Sequence, residues 1–431
     1  MRLASGHRII GRLGPLDALV LTALLWFLGK FLRYAFPPLF DSFQLTYNVS
    51  TAQLGWAFTA FMLAYAAMQF PSGVLADRLG SVEVIVAGGI VTSVAALTLL
   101  FSVPFGVLVA IMVVIGLGTG VHKTVAVRLL SQTYPARTGR VLGVFDTFGT
   151  FGGVVAPVAV IAVASLPGPR PGWQTLLFLT GLVGLVFTAA FRYRIPRRLR
   201  ETAAKETNAT SDRRFESATG SASPSAPTSG WRSYAALFSD RRFTVFVLAT
   251  ICFGFTYNGV VAFLPLYLTR EAGLTAGTAG ALYSALFLAS LAQLVTGELS
   301  DRVGTLPVIV GALCLATAGV TSFILLTGAG PVVLGIAIVC LGLGAHGFRP
   351  VRGAYLMETV PEPVAAGGFG MVRTLLMGAG AISPGVVGTL SDSAGFRPAF
   401  WLLAASISIA TVLTVSLLLT ERPADEPQAV R

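Results

Sequence analysis

An all-α membrane protein of twelve transmembrane helices in two pseudo-symmetric six-helix bundles is the fold class this sequence predicts. Three observations predict it: a composition too apolar for a water-soluble chain, twelve separate windows of spanning length, and a set of motifs that returns once. Of 431 residues, 54% are hydrophobic and only 11% charged, against about 25% charged in soluble chains. A helix needs about 20 mostly apolar residues to cross a hydrocarbon core of about 30 Å. Windows of that kind fall at 15–43, 52–76, 82–102, 105–130, 139–164, 173–195, 242–268, 277–299, 306–327, 331–357, 367–390 and 398–420.

The first window follows Arg2, Arg8 and Arg12 but runs on past Lys30 and Arg33 without a small-residue cleavage site, so it reads as a retained span and not a signal peptide. Counted from a cytoplasmic amino terminus, those arginines, Asp77–Arg78, Arg137, Arg140, the arginine-rich 192–242 and Arg302 all fall on one side. The opposite loops hold few basic residues, Arg170, Arg270 and Arg397 among them. The positive-inside rule then sets both termini on the cytoplasmic side of a plasma-membrane protein. The net charge of +11 collects in these segments, which makes it an orientation signal, and no nucleic-acid partner is expected. Between windows six and seven, "ETAAKETNATSDRRFESATGSASPSAPTSG" has little to bury and reads as a flexible cytoplasmic linker. The chain therefore divides into an N-terminal half, 1–195, a linker, 196–241, a C-terminal half, 242–420, and a cytoplasmic tail, 421–431.

The halves repeat. "GVLADRLG" at 73–80 returns as "GELSDRVG" at 297–304, and Gln69 returns as Gln293. "GLGTGVHKTVAVRLLSQTYP" from Gly116 returns as "GLGAHGFRPVRGAYLMETVP" from Gly342, which sets Lys123 against Arg349. "GVFDTFGTFGGVVAP" from Gly143 aligns with "GMVRTLLMGAGAISP" from Gly370, which sets Asp146 against Arg373. A parallel repeat of this size is the plan of a transporter whose two halves rock around a central site. Twelve spans, a central linker and two copies of G-x-x-x-D-R-x-G after spans two and eight resemble the major facilitator superfamily. The resemblance covers essentially the whole chain, although Ser81–Val82 and Thr305–Leu306 stand where that family usually carries basic residues.

Physically, Gly73, Gly80, Gly297 and Gly304 suit a tight turn and close helix approach, while Asp77 and Asp301 can cap or pair with a neighbouring span beside Arg78 and Arg302. The family resemblance implies that Arg373 faces Asp77 and that Asp146 faces Arg302, as closing contacts of a cytoplasmic gate. Deeper in the membrane, Lys30, Arg33 and Tyr34 share one face of span one by their spacing, and His346 and Arg349 share one of span ten. His122 and Lys123 lie near the middle of span four, and Arg352 follows a turn after Arg349. The resemblance implies that spans one, four, seven and ten line the cavity, where span seven adds Tyr257 and Asn258. The Lys-x-x-Arg-Tyr of span one is also similar to the family's organic-anion symporter branch, with Thr119 where that branch often has a glutamate.

Each ionised group at the bilayer centre costs at least about 2.5 kcal/mol. No acid lies near the middle of any window, since Asp146, Glu298 and Glu358 all fall towards the cytoplasm. The expected counter-charge is therefore the substrate, a small organic or phosphorylated anion held by arginine forks. The alternative is a proton-coupled efflux transporter for apolar or cationic compounds, disfavoured by the missing carboxylate. A transporter-like receptor would need a folded cytoplasmic domain. A coupling proton or cation is left open, with His122 and His346 as titrating candidates. Cys252, Cys314 and Cys340 have no paired spacing, so no metal or disulfide is indicated. No nucleophile or phosphate-loop pattern supports an enzyme, no cofactor is expected, and the protein is expected to work as a monomer in the lipid bilayer.

Overall fold

The computed structural model describes residues 16–164, 170–211, 237–359 and 365–420, with backbone alone at 196–211, 357 and 365–371. Arg2, Arg8, Arg12, most of the linker and the tail fall outside the described residues. Helices long and apolar enough to cross a membrane run Asp17–Tyr47, Thr51–Leu79, Ser81–Thr98, Phe105–Thr133, Pro135–Ala164, Gly172–Ile195, Arg241–Arg270, Ala276–Val303, Thr305–Leu325, Pro331–Leu356, Val372–Ala394 and Phe396–Thr420. These are spans one to twelve, and no strand occurs among the described residues. Each apolar window has its helix. The helix of span six continues to Ser211, past the apolar stretch that ends at Ile195 and into the segment whose composition reads as linker.

Three spans are broken, and two of the breaks repeat. Span one turns through a short 3₁₀ segment, Pro37–Leu39, before the helix Phe40–Tyr47. Span two stops at Ala67 and restarts as Gln69–Leu79; span eight passes through Ala289–Ala292 in 3₁₀ form and restarts as Gln293–Val303. Both restarted pieces begin at the repeated glutamine and carry the G-x-x-x-D-R-x-G motif. They end at Gly80 (φ 89°, ψ 148°) and Gly304 (φ 92°, ψ 157°), a backbone region that is essentially glycine's alone. The motif's final glycine is thus required by conformation. Close approach is not what its first glycine provides: a Cβ at Gly73 would meet only Thr124, at 4.0 Å, and one at Gly297 would meet nothing within 4 Å among the described residues.

The chain forms two compact units. The first comprises 1–35 and 60–226; the second comprises 36–59 and 227–431, so the end of span one and the start of span two belong with the C-terminal half. In the first unit, span four packs through glycines: a Cβ on Gly116 would strike the backbone of Phe61 in span two, and one on Gly118 would lie 2.9 Å from the Gly88 carbonyl in span three. In the second unit, Gly342 meets Leu286 of span eight at 2.8 Å, and Gly344 meets Ala312 of span nine. The doubled glycines of spans four and ten are therefore equivalent packing points, small residues that let backbones touch where lipid gives no hydrophobic drive. Pro157, Pro265, Pro350 and Pro384 lie inside spanning helices, as neighbouring spans permit in a membrane.

Candidate functional site

In the first unit, span one brings Lys30, Arg33 and Tyr34 onto one face as their spacing requires. The Lys30 Nζ lies 3.4 Å from the Tyr34 hydroxyl and 4.9 Å from the centre of the Trp26 ring. Arg33 is buried, at 8% exposure, with its guanidinium carbon 5.6 Å from the Tyr34 ring and 5.5 Å from that of Tyr65 in span two. Lys123 of span four reaches the same Trp26, at 5.5 Å. Trp26 therefore joins Lys30 to Lys123, with a ring face whose quadrupole suits cations. Neither Trp26 nor Tyr65 stands out in the sequence, because aromatic residues in a span are commonplace.

Lys123 also has an acid. Its Nζ lies 2.6 and 2.9 Å from the two carboxylate oxygens of Asp146 in span five. The reading that no acid reaches the cations of the membrane interior fails here, because a four-carbon lysine stem bridges the difference in depth that window centres suggest. His122, one residue earlier, points elsewhere. It is 4% exposed and its Nδ1 donates to the Gly118 carbonyl at 3.1 Å. A Cβ on Gly88 would lie 3.4 Å from its ring, so His122 packs against span three.

The second unit holds Arg349 with its guanidinium carbon 4.2 Å from the centre of the Tyr257 ring. One Arg349 nitrogen lies 3.4 Å from Nδ1 of His346, which is fully buried and sits edge-on to Tyr257 at 5.8 Å. A guanidinium only donates, so in this contact Nδ1 is the acceptor. Arg352 lies over Phe348, with its guanidinium carbon 5.8 Å from the ring centre. Asn258 spends its side-chain amide on the Gly254 carbonyl one turn back, at 2.9 Å. The two halves thus differ in charge at equivalent places. The Lys123–Asp146 pair of the first becomes Arg349 and Arg373 in the second, an acid replaced by a base.

The motif residues find partners close by. Asp77 accepts a hydrogen bond from Arg128 of span four, and Arg302 donates to Glu298 one turn earlier on its own helix. Arg78 and Asp301 are exposed. Gln69, at the break in span two, donates to the Gly120 carbonyl at 3.0 Å and accepts from Thr124 at 2.9 Å, which ties the restarted piece to span four. Among the described residues, no cluster of three metal-ligating side chains occurs.

Twelve membrane helices in a doubled six-helix pattern, with cationic side chains inside the spans of each half, define a multi-pass membrane transporter. The family model described as Major Facilitator Superfamily matches residues 19–348 and 246–431, and the chain belongs to that family. It is 26% identical over 405 residues to the probable sulfoacetate transporter SauU of Cupriavidus necator, covering 89% of this chain and 90% of that protein. It is 25% identical over 386 residues to the putative niacin/nicotinamide transporter NiaP of Bacillus subtilis, covering 87% and 88%. Among solved structures, a bacterial homologue of the human lysosomal transporter Spinster, inward-facing and unoccupied, superposes with a TM-score of 0.73 at 16% identity, over 95% of this chain and 99% of that one. At that identity the likeness shows the fold alone.

Proposed function

We propose that this transporter carries a small organic or phosphorylated anion, by alternating access, across a plasma membrane in which both termini are cytoplasmic. One observation carries the reading: where the first half sets Asp146 against Lys123, the repeat puts Arg373 and Arg349 at the same two positions of the second, with Arg352 a turn after Arg349. Like charges gathered inside a membrane protein favour an anionic occupant, and an arginine fork matches carboxylate, sulfonate or phosphate oxygens. Arg349 lies on the face of Tyr257 and beside His346, an arrangement that fixes its direction before substrate arrives. The relative named for sulfoacetate, itself an anion, supports this class.

The test is uptake into proteoliposomes of one anionic and one cationic tracer. Anion transport is expected to fall at least tenfold in the Arg33→Gln, Arg349→Gln double variant, and retained anion transport would remove the assignment. A second reading has one observation in its favour. Asp146 is a half-exposed carboxylate paired with a cation inside the first unit, which is what a proton-coupled efflux transporter of cationic compounds needs. Under that reading Asp146→Asn abolishes proton-driven transport of the cationic tracer.

A further inference from the structure

The sequence places every gating candidate at the end of the spans that carries the repeated motif. The second unit shows a polar closure at the opposite end. Span two begins with Ser50 and Gln53 capping each other: the Ser50 N–H donates to Gln53 Oε1 at 2.9 Å, and the Gln53 N–H donates to Ser50 Oγ at 3.2 Å. That reciprocal box satisfies part of the helix start from within. The two donors left over, the N–H groups of Thr51 and Ala52, point at Asp392 in span eleven, at 3.1 Å to Oδ1 and 2.8 Å to Oδ2. Both carboxylate oxygens are used, and the negative charge sits at the positive end of the helix.

Below this contact the two helices run side by side. Trp56 Nε1 donates to Thr389 Oγ1 at 3.1 Å, and the Gly385 N–H donates to Thr59 Oγ1 at 2.9 Å. Glycines make the approach possible: a Cβ on Gly388 would lie 2.7 Å from the Thr51 carbonyl, and one on Gly385 would lie 2.7 Å from the Trp56 ring. Beside it, Arg270 of span seven donates to Asp41 at 3.0 Å and to Gln44, and Gln44 donates to Thr51 at 3.3 Å. The repeat shows that span two need not have been built this way. Span eight starts with the matching Thr275–Ala276 and is capped locally, Thr275 accepting from the Thr278 N–H at 3.2 Å.

We infer that Asp392 is a releasable latch on the start of span two, and that letting go of residues 51–59 opens this end of the protein during the transport cycle. The Ser50–Gln53 box keeps the helix start intact when Asp392 leaves, so the latch opens without unfolding what it holds. Water replaces the carboxylate on the two freed N–H groups.

The experiment follows a single cysteine at Thr59, in a chain whose Cys252, Cys314 and Cys340 are serine, with a membrane-impermeant maleimide added to the face on which Asp392 lies. Thr59 is 2% exposed, so slow labelling is expected with Asp392 intact. Asp392→Asn removes the charge and one acceptor, and labelling is expected to rise about five- to thirty-fold, the effect of a lost charged cap. Asp392→Glu should stay near the parent rate. Gly388→Ala is the independent variant: it favours the helix of span eleven but puts a methyl against Thr51, and it should speed labelling too. Rates unchanged in both Asp392→Asn and Gly388→Ala, with normal size-exclusion profiles, overturn the latch. No substrate enters this measurement, so its outcome is separate from that of the anion reading.

Discussion

The Nζ of Lys123 lies 2.6 Å from the Asp146 carboxylate, and the internal repeat sets two arginines, Arg349 and Arg373, at the corresponding positions of the other half. Under the proposed anion reading, the substrate competes with Asp146 for Lys123, whereas the residue at the matching position of the other half, Arg373, is itself a base.

Asp146→Asn is expected to tighten anion binding about two- to five-fold, because it removes an internal competitor in a pair that is partly exposed, at 24% and 55%. Stability should fall by no more than about 1 kcal/mol. Calorimetric titration and a melting curve check the two numbers; weaker anion binding would mean that Asp146 helps to place Lys123 instead of competing for it.

Tyr257→Leu keeps an apolar neighbour but removes the ring face from under Arg349, 4.2 Å away. A cation–π contact is worth about 0.5–2 kcal/mol, so anion affinity should drop roughly two- to thirty-fold. Tyr257→Phe should bind nearly as the parent does, since the ring and not the hydroxyl faces the guanidinium. Equal losses in both variants would point to the hydroxyl.

Glycines of one motif should respond oppositely. Gly80→Ala and Gly304→Ala each force a side chain into the φ 89° and 92° conformations and should cost about 1–3 kcal/mol, although a Cβ at Gly80 meets nothing within 4 Å. Gly297→Ala, mid-helix with open space around it, should be neutral or stabilising by up to about 1 kcal/mol. Thermal melts in one detergent compare all three.

The Asp77–Arg128 pair is exposed, at 63% and 41%, and a double-mutant cycle of Asp77→Asn with Arg128→Gln should give a coupling of about 0.2–1 kcal/mol in stability. Transport should lose far more than this in Asp77→Asn if the carboxylate works in closing the motif-bearing end. Parallel losses of stability and transport would make it a structural pair only.

Much of this was legible because membrane solvent leaves few choices. Apolar windows had to become helices, the repeated glycines had to mark packing or turning, and the spacing of Lys30, Arg33 and Tyr34 had to share a face. The sequence readings stop where a partner lies on another helix. Asp146 looked too shallow to meet Lys123 because depth along a window ignores the reach of a side chain. Family resemblance assigns Asp77 to Arg373 of the other unit; within its own unit it accepts from Arg128, fifty-one residues on, a contact the spacing does not announce. Trp26 and Tyr65 carry no sequence signal, since only the fold brings a ring beneath a cation. Breaks in spans two and eight fall where each span turns more polar, and the repeated Gln69 and Gln293 mark where each helix restarts.

Asp392 caps a helix that begins 341 residues earlier in the chain. At a synthesis rate of about 5–20 residues per second, the second span waits tens of seconds in the bilayer before its capping carboxylate exists. During that interval Thr51 and Ala52 must be hydrated at the membrane surface, and Trp56, Gly55 and Thr59 face lipid or whatever insertion machinery shelters the nascent chain. The final docking of residues 36–59 is then a late step of biogenesis, so truncation or misfolding near span eleven would leave its mark at the amino-terminal end of the protein.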